Sequence, residues 1–253
     1  GCSCPITSLE IDVEKKTQSL SNYSPRPLWV RYLLGYLAMF LCSLGARIKI
    51  IGRHHVPDKG PYIVVINHFS YIDPVFVIHA LQKPISFLAA SDQVIETQFI
   101  WAPFIYGFIP TDRTSLAPST IKNSIRALKN GEILGVFPEG TSLSNVLRPA
   151  KNGAAFLSAL GKTPLLPIGI TGLENAWEMM FKGVRPSVAI RIGKPFGPYK
   201  ISKLKNDKER DLKEIGSEIM CRIAALLPES AHGSFKHNKT INEYQKKNGL
   251  PDF

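Results

Sequence analysis

One five-residue run, Tyr62 to Ile66 (YIVVI), constrains the fold of this chain more than any other stretch. It is rich in Val and Ile and opened by Gly60-Pro61, which is the character of a buried strand. The run delivers Asn67-His68 to a turn. Asp73-Pro74 then reads as a helix start, because Asp accepts the orphan amides of a first turn and Pro suits the first helical position. An imidazole and a carboxylate are thus expected at the carboxyl end of a strand, on either side of one strand-to-helix loop, where open α/β sheets bind ligands. Taken singly, Asp73 would be a helix cap and His68 a structural residue. The pair gains weight from the motifs on its carboxyl-terminal side.

Along the rest of the chain, strand-like and helix-like patterns alternate. Residues 47–52 have period two and should form a strand with one wet face. Residues 74–81 predict a short helix and 85–90 a second apolar strand. Residues 118–131 predict an amphipathic helix, with Ile121, Ile125 and Leu128 on one face and Lys122, Arg126 and Lys129 on the other. Residues 133–137 predict a buried strand that brings Glu139, Gly140 and Thr141 to the same end as His68 if the sheet is parallel there. A helix over 150–160 and strands over 165–170 and 188–192 continue the pattern. Pro167 inside the first of these strands calls for an edge or a bulge. Residues 206–227 carry an apolar stripe, Leu212, Ile215, Ile219, Ile223 and Leu226, on a charged helix. The prediction is an α/β fold, a mostly parallel or mixed central sheet flanked by helices, with an N-terminal membrane-associating hydrophobic helical segment.

That segment is residues 28–46, in which Tyr32 to Ala46 gives 15 uncharged residues, short of the roughly 20 needed to cross a bilayer. It is expected to enter one leaflet, with Trp29, Arg31 and Tyr32 at the head-group level, unless it is a buried core helix. Residues 1–27 read as a flexible leader, 47–227 as the main domain and 228–253 as a polar, loosely held tail. The net charge of +11 suggests a polyanionic partner. From Lys15 to Pro57 there are seven basic residues and no acid around the most apolar stretch, which favours an anionic membrane surface over nucleic acid. A second basic patch, seven bases without an acid, covers residues 179–206. Cys2, Cys4, Cys42 and Cys221 show neither a paired framework nor metal-ligand spacing, as expected of reduced thiols facing the cytoplasm. Pro5 stands where a myristoylation signal needs Ser or Thr.

Four motifs in order now carry a resemblance: Asn67, His68 and Asp73; Gly107, Ile109 and Arg113; Phe137 to Thr141 (FPEGT); and Pro167 in an apolar strand. Across roughly residues 48–195 the chain resembles the glycerolipid acyltransferases. The resemblance implies acyl transfer to the free sn-2 hydroxyl of a 1-acyl-glycerol-3-phosphate, giving phosphatidic acid, with acyl-CoA or acyl carrier protein as donor and no cofactor or metal. It also implies that Arg113, Glu139 and Gly140 bind the glycerol phosphate. Thr141 and Glu139 have the chemistry to bond glycerol hydroxyls or hold cations. Many members have Arg after Glu-Gly-Thr, where this chain has Ser142; Arg148 and Lys151 are the nearest following cations and the candidates to replace it.

The chemistry asked of His68 and Asp73 is consistent with their types. An imidazole, with an ordinary pKa of about 6.5, takes a hydroxyl proton near neutral pH. A carboxylate on its other nitrogen fixes the tautomer and stabilises the imidazolium. A thioester is already activated, so no enzyme nucleophile is required, and the Gly-x-Ser-x-Gly elbow of a hydrolase is absent from the sequence. The rival enzyme class is a serine hydrolase using Ser70 with His68, which would need a bent loop. A membrane-binding or nucleic-acid-binding module without activity is a third possibility, and an acyltransferase for another lysolipid is the nearest rival.

Overall fold

The computed structural model describes residues 26–90, 106–111, 116–140 and 144–253. Residues 1–25 of the expected leader lie outside that set, as do residues 99–105 of the aromatic and aliphatic stretch 99–109 (FIWAPFIYGFI), whose composition reads as either core or the wall of an acyl-chain site. Strand β2 (Tyr62–Ile66) is buried at every position. Its side chains alternate between the two faces of the sheet. Ile63 and Val65 enter one apolar cluster, while Tyr62, Val64 and Ile66 enter another. A strand with two dry faces must be covered on both sides, and here it is.

Among the described residues the sheet has seven strands in the order β1-β7-β6-β2-β5-β3-β4. They are β1 (Arg47–Ile51), β2, β3 (Ile85–Ala90), β4 (Phe108–Thr111), β5 (Ile133–Val136), β6 (Leu165–Thr171) and β7 (Ser187–Ile192). Only β6 and β7 pair antiparallel; every other neighbouring pair is parallel. On one face lie α3 (Pro118–Lys129), α4 (Gly153–Gly161) and α6 (Lys205–Ala224), which bring Leu128, Leu157 and the α6 stripe to Ile63 and Val65. On the other lie α1 (Leu28–Gly45), α2 (Asp73–Leu81) and the short α5 (Ala176–Phe181). The expected α/β architecture is thus the observed one, and all five stripe residues of 206–227 are buried.

Two expectations need correction, and a third is decided between its two alternatives. Pro167 lies on no edge, because β6 is central between β7 and β2. The bulge it calls for is in the partner: β6 pairs Leu165 with Phe196 and Ile168 with Ile192, so the two residues Leu166 and Pro167 face the three residues 193–195. Pro167 points its carbonyl to Gly193 at 2.9 Å, and its missing N–H falls where the partner bulges away. Arg31, expected at head-group level, is 2% exposed and turned into the domain. The C-terminal segment is far from loose. It contains α7 (Thr240–Asn248), buries Ile241, and is tied down by Leu147 N–H to Ala231 O at 2.9 Å and Lys194 N–H to Asn248 Oδ1 at 2.9 Å.

Helix α1 packs its Gly35 side onto Ile78 of α2 and leaves the rest of its apolar surface open. Only Arg31, Gly35 and Cys42 are buried, while Trp29, Leu33, Leu37, Phe40, Leu41 and Leu44 are all more than half exposed. Its 18 residues make it about 27 Å long at 1.5 Å per residue. That exposure does not fit a helix buried in the core of the described residues. In the aromatic stretch 99–109, Phe108 and Ile109 are core residues of β4.

Candidate active site

Parallel pairing of β2 with β5 sets Val65 opposite Val136, so three residues further on His68 and Glu139 leave the sheet at the same level. Asn67 keeps β2 attached to its other neighbour. Its side-chain amide donates to Ile170 O at 2.9 Å and accepts from Ile170 N–H at 2.8 Å, continuing the ladder with β6 by imitation of a peptide group. His68 therefore starts from a fixed backbone.

The loop from His68 to Asp73 bends back on itself, with Asp73 N–H donating to Ser70 O at 3.2 Å. Asp73 is the first residue of α2, yet its carboxylate does not cap that helix. Oδ2 instead accepts from His68 Nδ1–H at 3.0 Å and from Ser70 N–H at 2.9 Å. The carboxylate is 1% exposed, and burial pushes its pKa up, opposed chiefly by the bond from His68. With Nδ1 engaged, Nε2 is the nitrogen left to exchange a proton. The His68 ring stacks on Phe137 with centroids 4.1 Å apart, which fixes its tilt. Among the described residues no hydrogen bond joins the Ser70 hydroxyl to His68; Ser70 serves the carboxylate through its backbone amide.

Glu139 is the second buried carboxylate. Oε1 accepts from the amide of His68 at 3.0 Å, and Oε2 accepts from the amide of Arg148 at 3.2 Å with the Arg148 guanidinium 3.6 Å away. Burial pushes this pKa up too, while those two amides and the Arg148 charge pull against it. Glu139 thus ties the loop after β2 to the loop after β5. Gly140 follows with φ +76°, a left-handed conformation that favours glycine, and the Lys151 side chain lies across it, 2.9 Å from where a Cβ would stand. Lys151 N–H donates to Pro138 O at 2.8 Å. His68, Asp73, Glu139, Gly140, Arg148 and Lys151 are therefore gathered at one end of the sheet. Arg113 and Thr141 lie outside the described residues, as does Ser142.

Residues 47–171 match the family model described as Acyltransferase. A 1-acyl-sn-glycerol-3-phosphate acyltransferase of Bacillus subtilis is 30% identical over 158 residues, covering 61% of this chain and 76% of the relative. The chain belongs to the acyltransferase family. A second acyltransferase of that description, from Saccharomyces cerevisiae, is 28% identical over 242 residues, covering 88% of this chain and 78% of its own. In fold, the acyltransferase resembles the crystal structure of the 1-acyl-sn-glycerophosphate acyltransferase PlsC from Thermotoga maritima, with a TM-score of 0.52 at 19% identity over 85% of this chain and 82% of that one.

Two functions of residues in this acyltransferase were not read from the sequence. Asn67 was placed only by its motif, and its pairing with Ile170 spans 103 positions. Phe137 was read as the end of a strand and is also the floor under His68. An Asn at the end of a buried β-branched run is the signal that would have pointed to the first.

Proposed function

We propose that this enzyme transfers an acyl group from an acyl thioester, on coenzyme A or acyl carrier protein, to the free sn-2 hydroxyl of a 1-acyl-sn-glycerol-3-phosphate, yielding phosphatidic acid. The observation that carries the reading is His68 Nδ1 held 3.0 Å from the buried Asp73 carboxylate. That pair leaves Nε2 as the base. His68 Nε2 takes the hydroxyl proton as the oxygen attacks the thioester carbonyl; Asp73 stabilises the imidazolium; collapse of the tetrahedral adduct expels the thiolate, which receives the proton back. Arg148 and Lys151, with Arg113 and Thr141, are the candidates for the acceptor's phosphate and glycerol oxygens, because guanidinium and ammonium groups suit a phosphate. Glu139 acts on them through Arg148 and through the His68 amide. The exposed apolar side of α1, with basic neighbours, supports association with an anionic membrane at its cytoplasmic face, where the lipid acceptor is held.

A panel of lysolipids, each offered with acyl-CoA and with acyl carrier protein, tests the reading against the His68→Ala variant. Phosphatidate formation that vanishes in the variant is the expected result. Wild-type turnover confined to a lysolipid without the phosphate monoester would favour the second reading, acylation of another head group, for which Ser142 in place of the usual arginine speaks. Hydrolysis of the thioester without an acceptor, lost in Ser70→Ala, would overturn both.

A further inference from the structure

We propose that residues 181–185 (FKGVR), running from the last residue of α5 toward β7, form a second bilayer contact, entering an anionic lipid surface beside the C-terminal end of α1. The proposal rests on the proposed function in one respect, that α1 itself meets lipid. Phe181 is 79% exposed and Val184 50%, and Lys182, Gly183 and Arg185 between and after them are exposed as well. An exposed Phe followed by Lys182 suits a phospholipid surface, the ring reaching the acyl boundary while the ammonium stays with the phosphates; Arg185, bonded to carbonyls at the end of α1, adds its charge to the attraction. No acid occurs from Met179 to Asn206 to oppose that attraction.

Position weighs more than composition here. The segment comes after the carboxyl end of β6, and β7 returns antiparallel beside it, so 181–185 lies at the same end of the sheet as His68. It is fastened to α1: Arg185 Nη2 donates to Ser43 O at 2.6 Å and to Ala46 O at 2.9 Å, and Gly45 lets Met180 approach closely. At its other end α1 is held by buried Arg31, which donates to Ser86 Oγ at 3.1 Å, pairs with Glu132 at 3.4 Å and lies over the Tyr106 ring at 5.3 Å. Pinned by an arginine at each end, the helix cannot swing away from the domain. A lipid surface that receives Phe40, Leu41 and Leu44 must then meet 181–185 too, and the contact brings the catalytic end of the sheet to the head groups.

The test uses the full chain and phosphatidylcholine vesicles with and without phosphatidylglycerol. Phe181→Ala combined with Val184→Ala should weaken binding to the anionic vesicles by about tenfold or more, with thermal unfolding and turnover of a water-dispersed short-chain acceptor unchanged. Independently, Phe181→Trp should add fluorescence that lipids brominated in the acyl chain quench, beyond the quenching of the wild type. A control, Leu37→Gln with Leu41→Gln, probes α1. If the control loses vesicle binding while the 181/184 variant keeps it and the added tryptophan is not quenched, the second contact is refuted and the α1 reading stands. If neither variant loses binding, the membrane reading fails first. Equal loss on neutral vesicles would refute the anionic part of the proposal.

Discussion

Replacing Asp73 by Asn separates the electrostatic role of its carboxylate from its place in the fold. The amide is isosteric, and its oxygen can still accept from Ser70 N–H, so the loop from 68 to 73 keeps its shape. What is lost is a charge 3.0 Å from His68 Nδ1. An imidazolium at that distance gains about 5 kcal/mol at an effective dielectric near 20, and the amide's NH2 group can also invert the imidazole tautomer. Discounted for the penalty of keeping the carboxylate ionised where burial opposes it, the expected loss in kcat is about 10² to 10⁴, or roughly 3 to 5 kcal/mol. Stability should move the other way. The folded pKa of Asp73 lies above its unfolded value, so its favourable contribution is present below the unfolded pKa and is lost as pH rises through the folded one. At neutral pH the wild type carries that cost and Asp73→Asn does not. Steady-state rates with an acyl thioester, alongside urea unfolding across the acidic to neutral range, check both parts. A kcat within about threefold of wild type in a folded variant would refute the assigned role of the carboxylate.

Glu139→Gln turns an NH2 group toward one of the amides of His68 and Arg148, and should lower kcat while costing about 1 to 3 kcal/mol in chemical unfolding. Asn67→Ala strands both the N–H and the C=O of Ile170 in a buried place; a loss of about 2 to 5 kcal/mol is expected, with faster hydrogen exchange at Ile170 as the local readout. Gly135→Ala puts a Cβ 2.4 Å from the Phe87 ring, an overpacking expected to cost about 1 to 3 kcal/mol; adding Phe87→Leu should recover part of the melting temperature, and failure to recover any would contradict the cause.

The features that were legible in the sequence are those whose physics is local. The Tyr62–Ile66 run states its burial through composition, and the spacing of Leu212, Ile215, Ile219 and Ile223 states the inner face of α6. His68 and Asp73 were readable as a pair because five residues suffice to fold one loop. What escaped depended on partners far along the chain. Arg31 in an apolar stretch suggested a snorkelling cation, and nothing nearby announces Glu132, 101 residues away. Pro167 called for an edge or a bulge, and the choice between them lay with residues 193–195, which carry the bulge. The C-terminal segment looked loose because it buries few apolar groups, and its hold on the domain runs through backbone bonds to Leu147 and a side-chain bond from Asn248.

Two carboxylates make the site a single unit, and both do so against the preference of the fold. Asp73 gathers the loop after β2 by accepting from Ser70 N–H and His68 Nδ1–H, and Glu139, accepting from the amides of His68 and Arg148, joins that loop to the loop after β5. Burial raises both pKa values. Ionised, they accept every one of those bonds; protonated, each gives up acceptor capacity and its hold on a cation. Acid should therefore remove activity at a pH above the range of ordinary carboxylates, while over the same interval the folded state loses the penalty of keeping these charges buried. Activity and this part of the stability thus have opposite slopes with pH, a conflict typical of sites where function needs a charge that folding resists. A pH profile in which the acid limb of kcat obeys that rule in the wild type, and in which Asp73→Asn flattens the corresponding stability slope, links the chemistry of His68 to the burial of its partner. Identical stability slopes in the two proteins would break that link.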